Sequence, residues 1–571
     1  MIYRCENEQC DYLGEGAALP EQCPLCGAAL EPVAEQTMTG DDWAALGSGW
    51  MDCREEAGKA RMVECFRRAA YFGSAWGTCN LGICLEQGIG VEADARQAFW
   101  LYQQAMEMGS LNAVCCLGVC HEYGIGTQKN EQIAAAYYKM AAEHGSPRGQ
   151  LLLSRAYHEG IGVEEDREKS FFWAQSAAYQ RYDEAMYHLG RCYELGDGAA
   201  QSWAHAARWY GEAAEAGVTA AMVDYGYCWE RGRGVSQSWE EAVKWYRRAA
   251  EDGDGRAMGN LAWCYEHGRG VERSGETAVF WYRAGARAGS ARCMHNLGWC
   301  YESGCGVAAD QDKALDWYRR AAGAGYEYSQ YVLGVHYEKG VGVAQNDRDA
   351  FRWYEQAAEN GCGDAMNRLG AFYAAGRATA ADPVRAAELF RAAAEQGSGE
   401  ALLNLAGCYE YGKGVQQDAR KAMELYRQSA EKGNAAADYN MGRWLESQGD
   451  MEQAYRHYCR AAERNDTSAW WALGRFYETG LYVQQDAREA HRCYEKGEAL
   501  GSLKCRMRLA RCKLLGIGTR RAKKRGLELC RSALEQARES AEREEWGGET
   551  EIALLERTIR ENESQEDPQK P

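Results

Sequence analysis

Four cysteines near the amino end carry the plainest chemistry in this chain. Cys5 and Cys10 form one pair; Cys23 and Cys26 form another, within Cys23-Pro24-Leu25-Cys26-Gly27. Thiolates in two close pairs suit a single tetrahedral metal ion. Residues 1–36 are too few to fold on a core of their own, so such an ion would staple them. A structural zinc is the expected occupant, with iron as the alternative. Iron would imply a redox or metal-sensing role, yet no flavin, haem or diiron motif follows.

A second set of ionisable residues recurs along the chain. Glu86, Glu122, Glu194, Glu230, Glu266, Glu302, Glu338, Glu410, Glu446 and Glu478 share one phase of a 36-residue period. General acid–base catalysis needs two groups converging on one substrate, and these lie a full period apart. A carboxylate at a helix C-terminus also opposes the dipole, so hydrogen bonds from the glycine loop that follows are the expected reason for the acid. Histidines are few. His121, His158, His267, His295 and His336 fall in scattered phases and complete no Ser or Cys nucleophile constellation. Each Gly-x-Gly follows a helix rather than a strand, which argues against phosphate-cradling loops. No catalysis and no small-molecule substrate are expected.

The elements that hold these residues follow from a Leu-Gly step. Its glycine position is filled by Gly47, Gly82, Gly118, Ser154, Gly190, Gly226, Ala262, Gly298, Gly334, Gly370, Ala406, Gly442, Gly474 and Ala510. The interval is 36 residues apart from one of 35 and one of 32. Such a period means a helical solenoid, whose units bury their apolar faces only against neighbours. In one unit a first helix is predicted from about Ala291 to Glu302, ending at Gly304-Cys305-Gly306. A second starts after Asp310, with Ala314, Trp317, Tyr318 and Ala321 at helical spacing. Trp-Tyr pairs such as Trp245-Tyr246 are expected to fill the gap to the next unit.

The position twelve after the glycine tests that reading. It holds Asp94, Asn130, Asp166, Ser202, Ser238, Ser274, Asp310, Asn346, Asp382, Asp418 and Asp486, all side chains that cap a helix N-terminus. The unit at Gly442 lacks four loop residues, but Asp450 and Ala454 restore the phase. Eight of the 24 cysteines stand two after the glycine: Cys84, Cys120, Cys192, Cys228, Cys264, Cys300, Cys408 and Cys512. They read as small, reduced core residues. Cys293 and Cys300, or Cys505 and Cys512, are seven apart on one helix, about 10 Å along the axis and too far to bridge.

Two resemblances follow from these motifs. Leu261 to Tyr265, Gly268 to Val271 and Ala278 to Tyr282 resemble the Sel-one-like repeat, a relative of the tetratricopeptide repeat, over about residues 40–535. That likeness implies an all-α fold, an α/α superhelical solenoid of about fourteen two-helix repeats that mediates protein–protein interaction without catalysis. Tyr3-Arg4-Cys5, Gly14-Glu15-Gly16, Pro20 and Cys23 to Gly27 resemble the rubredoxin-like domain of rubrerythrins, or a zinc ribbon. The first cysteine pair departs from it, with four intervening residues where the family has two.

In related repeats the first helix of each unit lines the concave face. Residues two before and one after the glycine should then face a partner. The first set includes Asn80, Asn260, Asn296, Asn404 and Asn440; the second includes Trp263, Trp299, Arg443, Arg475 and Arg511. Asparagines can both donate to and accept from a peptide backbone, and tryptophans offer contact area. The three arginines would form a basic stripe suited to carboxylates. An extended peptide or acidic tail is the expected ligand.

Composition sets the bounds. A net charge of −18 argues against general nucleic-acid binding, which needs basic surface. Seven prolines with 35 tyrosines and 19 tryptophans suit a long helical protein. No 18-residue apolar run and no signal segment are seen, so a cytoplasmic protein without membrane contact is expected. Residues 519–525, Thr519 to Arg525, form a basic cluster. Residues 536–571 should comprise a charged helix and a disordered tail. The sum is a non-catalytic scaffold with a metal-bound amino-terminal knuckle.

Overall fold

The structure is a computed structural model and describes residues 2–5, 13–15, 30–33, 35–51, 53, 55–542 and 549–563. Near the amino end lie three short strands, β1 (Ile2–Cys5), β2 (Leu13–Glu15) and β3 (Leu30–Val33). They form an antiparallel sheet in the order β2-β1-β3, with Tyr3 opposite both Gly14 and Pro32, and Cys5 opposite Leu30. This sheet departs from an otherwise helical chain.

From Gly40 onward the chain folds into helical hairpins, beginning with Gly40–Ser48 against Glu56–Tyr71 and ending with Leu503–Leu515 against Lys523–Glu542. There are fourteen such pairs among the described residues, and a further helix, Glu549–Glu563, follows them. The last helix of the pairs runs through residue 535 to Glu542, so no break marks the expected start of a tail domain. Contacts divide the chain into two compact units: Met1–Cys293 with Cys305–Ala308, and Met294–Gly304 with Ala309–Pro571.

The local causes are those of the sequence pattern. All eleven predicted caps accept a backbone N–H of the first turn, for example Asp310 from Lys313 and Ser238 from Glu241. Asp450 caps in the shortened unit in the same way, accepting from Gln453. Most first helices end on a left-handed glycine such as Gly232, φ 66°, whereas Ala435–Ser447 of the shortened unit ends on Gln448 in a right-handed conformation. The second glycine of the loop has another task. At Gly234 (φ +76°) a Cβ would lie 2.0 Å from the carbonyl oxygen of Trp203, so only glycine lets the loop seat on the preceding unit's second helix.

Between consecutive repeats alanines of one second helix pack against Leu and Met of the next first helix, as Ala242, Ala249 and Ala250 do beside Met258 and Leu261. All eight cysteines two after the glycine are buried there. Burial pushes the Cys228 and Cys264 thiols up to about 12. None of the twenty cysteines whose side chains are described forms a disulfide.

Candidate functional site

Where the Leu-Gly step carries glycine before a tyrosine, that glycine lies against the ring. Tyr246 lies flat on Gly226, where a Cβ would meet its Cε1 at 2.7 Å, and the same contact joins Gly118 to Tyr138 and Gly334 to Tyr354. These tyrosines are fully buried. Each carries a hydroxyl into the core that needs an acceptor. The recurring glutamates supply it. Tyr102 donates to Glu86 at 2.5 Å, Tyr246 to Glu230 at 2.8 Å, Tyr318 to Glu302 at 2.6 Å and Tyr494 to Glu478 at 2.6 Å. The six other glutamates accept from Tyr138, Tyr210, Tyr282, Tyr354, Tyr426 and Tyr458. Burial, and then the facing carboxylate, push the Tyr246 phenol well above its usual range, so it stays a donor.

This corrects the expected role of the acids. The glycine loop is not what the carboxylate serves, because the tyrosine hydroxyl sits closer to hand within the hairpin. A basic side chain from the following repeat often completes the arrangement. Arg155 reaches Glu122, Arg377 reaches Glu338, and His336 stands 3.3 Å from Glu302.

The expected partner-binding arginines belong to this network. Arg443 Nη2 donates to Glu410 at 2.5 Å and to the Tyr411 hydroxyl at 2.7 Å. Arg475 pairs with Glu446, and Arg511 with Glu478 at 2.8 Å. Each guanidinium therefore already has a carboxylate, and an acidic ligand would have to compete with it.

The other expected residues are more open. Trp263 and Trp299 are 37% and 42% exposed. Trp263, in the first compact unit, stacks on Trp239 and on His267. Asn260 Oδ1 accepts from Arg292, and Asn404 donates to Asn367 Oδ1 at 2.9 Å. Asn296 and Asn440 are half-buried. Asn80 is buried, and its Nδ2 has no hydrogen-bond partner.

One cluster escaped the sequence reading. Asp438, fully buried, accepts from His457 Nδ1 at 3.0 Å and from Arg464 Nη1 at 2.8 Å, with Arg460 Nε at 3.4 Å. They line a cavity of about 400 Å³. The signal was present: Asp438 stands where units before it carry Met258 or Met366, and His457 where they carry Trp245 or Trp281.

Cys10, Cys23 and Cys26 lie outside the described residues, and of Cys5 only the backbone, at the end of β1, is described. Among the described residues no group of three or more His, Cys, Asp or Glu side chains could hold a metal ion. No described helix is long and apolar enough to cross a membrane.

The Sel1 repeat model matches this chain in thirteen stretches, from 77–110 through 219–254 and 255–290 to 504–537. No curated protein matches it. Among solved structures, a protective antigen of uropathogenic Escherichia coli strains with an SLR fold is 28% identical, with 89% of this chain and 97% of that one covered and a TM-score of 0.51. A Sel1 repeat protein from Oxalobacter formigenes is 32% identical over 43% of this chain and 96% of its own, with a TM-score of 0.40. An immunity protein from Pseudomonas aeruginosa is 21% identical, covering 39% and 83%, with a TM-score of 0.30.

Proposed function

We propose that this chain, which belongs to the Sel1 repeat family, is a non-catalytic scaffold that takes a protein or peptide on the exposed edge of its first helices. The observation that carries this reading is a division of labour within the repeat. The recurring acids, the one series that could have served acid–base chemistry, are each engaged by a buried tyrosine. Immediately after the glycine, by contrast, Trp263 and Trp299 leave a large ring surface to solvent. Exposed tryptophans are the residue type on which binding energy concentrates. The net charge of −18 disfavours nucleic acid as the partner. Buried unbridged thiols favour a reducing, cytoplasmic setting.

The test is capture of partners from the source cell by the full chain, compared with Trp263→Ala and Trp299→Ala variants of unchanged circular dichroism. Loss of the same captured protein in either variant supports the reading. Unchanged recovery in the double variant overturns it.

The amino-terminal segment is read as a zinc knuckle of Cys5, Cys10, Cys23 and Cys26. Four thiols are a fitting donor set for zinc. The register supports the pairing of the two halves, because Cys5 ends β1 opposite Leu30, only four residues after Cys26.

A further inference from the structure

Five second helices place a tryptophan directly before their buried tyrosine: Trp209, Trp245, Trp281, Trp317 and Trp353. In the hairpin of Thr219–Arg231 and Trp239–Glu251, the Trp245 indole packs on a core that includes Ala214 and Met222. Its centroid lies 5.3 Å from that of Tyr225, and the Arg248 guanidinium stands 5.6 Å over it. Helix Ala487–Ala499 carries Cys493 at the tryptophan position, so the place of an indole holds a thiol. The residues around it keep the phases of that seat: Ala462 for Ala214, Trp470 for Met222, Leu473 for Tyr225 and Lys496 for Arg248. These four line a cavity of about 430 Å³, and Tyr455 and Tyr477 line it too, their hydroxyls 2.7 Å apart.

We propose that the cavity beside Cys493 binds an indole ring, borne by a small molecule or by a tryptophan of a peptide. The ring takes the place that the chain's own indole takes in five other repeats. Trimming a core side chain from indole to thiol leaves apolar walls without partner atoms, and a ligand of the missing shape restores those contacts. The volume falls in the range of small-molecule sites. Trp470 is larger than the methionine at its phase, yet the cavity persists and this aromatic residue is one of its walls. Lys496 Nζ already stands 4.4 Å from the Trp470 centroid, a cation on the aromatic wall. In the preceding repeat His457 replaces the tryptophan, again beside a cavity, but Asp438, Arg460 and Arg464 line that one with charge. The Cys493 seat is aromatic instead. It does not depend on the partner contacts proposed at Trp263 and Trp299.

Isothermal titration of the reduced full chain with indole, and separately with N-acetyltryptophanamide, tests this. Saturable binding of a single ligand is expected. Binding of indole itself marks a small-molecule seat, whereas binding of N-acetyltryptophanamide alone marks a peptide tryptophan. Cys493→Trp should abolish binding with unchanged circular dichroism, because the introduced indole fills the seat. Should Trp470 leave that variant overpacked, the double variant Cys493→Trp/Trp470→Met recreates the Trp245 and Met222 arrangement and should fold without binding. Absence of saturable binding of either ligand to the unaltered chain overturns the proposal. So does binding of undiminished strength in a folded variant that carries Cys493→Trp.

Discussion

The phenol of Tyr246 donates to Oε2 of Glu230 at 2.8 Å, from the second helix of a repeat back to the first. The same ring lies on Gly226. One buried side chain thus bears on two repeat positions: a small residue, glycine in most repeats and alanine at Ala262 and Ala406, stands in the repeats that carry the ring, and glutamate satisfies its hydroxyl. Where the tyrosine is lost the acid goes with it, as at His158 with Ala174, Ala374 with Phe390, and Leu514 with Cys530. At Ser154 no ring is present, and the serine hydroxyl instead donates to the Ser170 carbonyl at 2.7 Å.

Tyr246→Phe should therefore cost about 1–3 kcal/mol, the cost of leaving a half-buried carboxylate short of its donor. The double variant Tyr246→Phe/Glu230→Ala recreates the Phe390 and Ala374 arrangement found naturally in the chain. Its loss should be smaller than the sum of the single losses by about 1 kcal/mol or more. Urea unfolding midpoints of the four proteins measure this, and strict additivity would refute the coupling.

This pairing also marks how far the sequence could be read. Helix starts were legible because a cap is a local matter: Asp310 bonds an N–H three residues on, and residue type with spacing identifies it. The acids were legible as a series but not in their role, since the acceptor–donor link spans sixteen residues and two helices. The common absences of Tyr and Glu were the signal that would have joined them. The Asp438 cluster broke phase at two positions, and only the folded hairpin brings Asp438 to His457. The arginines after the glycine were placed correctly on the first helices, but the repeat's own carboxylates now claim Arg443 and Arg511.

The two glycine classes should differ in tolerance. Gly234→Ala meets both left-handed strain and the Trp203 carbonyl, and should cost about 2–4 kcal/mol. Gly217 has φ +101° but nothing within 4 Å of a built Cβ, so Gly217→Ala should cost only about 1–2 kcal/mol. Equal unfolding midpoints for the two variants would show that seating against the neighbouring unit contributes nothing.

Acid should act through His295. Burial holds its imidazole down to about 4, with Glu302 opposing, while Nδ1 lies 2.8 Å from the Ser329 hydroxyl. The unfolded chain takes up this proton near pH 6.5, so between about 6.5 and 4 the unfolded state binds more protons and stability falls as pH falls. The loss attributable to this site is about 3 kcal/mol by pH 4 and is absent above pH 7. His295→Gln should flatten that part of the stability–pH curve, and a parallel curve for the variant would exclude the site as its source.

The amino-terminal knuckle gives the last expectation. If Cys5, Cys10, Cys23 and Cys26 close around zinc, the purified full chain should be colourless and carry about one zinc per chain by elemental analysis. Cys23→Ser should lose that metal, because three thiolates hold zinc far less firmly than a closed set of four. The helical content should stay, since the first hairpin is capped by Thr39 and buries Trp43, Leu46, Cys65 and Ala69 in a core of its own. A red, iron-thiolate protein would replace zinc by iron and revive the redox reading. Metal-free protein purified without chelator would remove the knuckle altogether and leave the sheet to rest on its strand pairing alone.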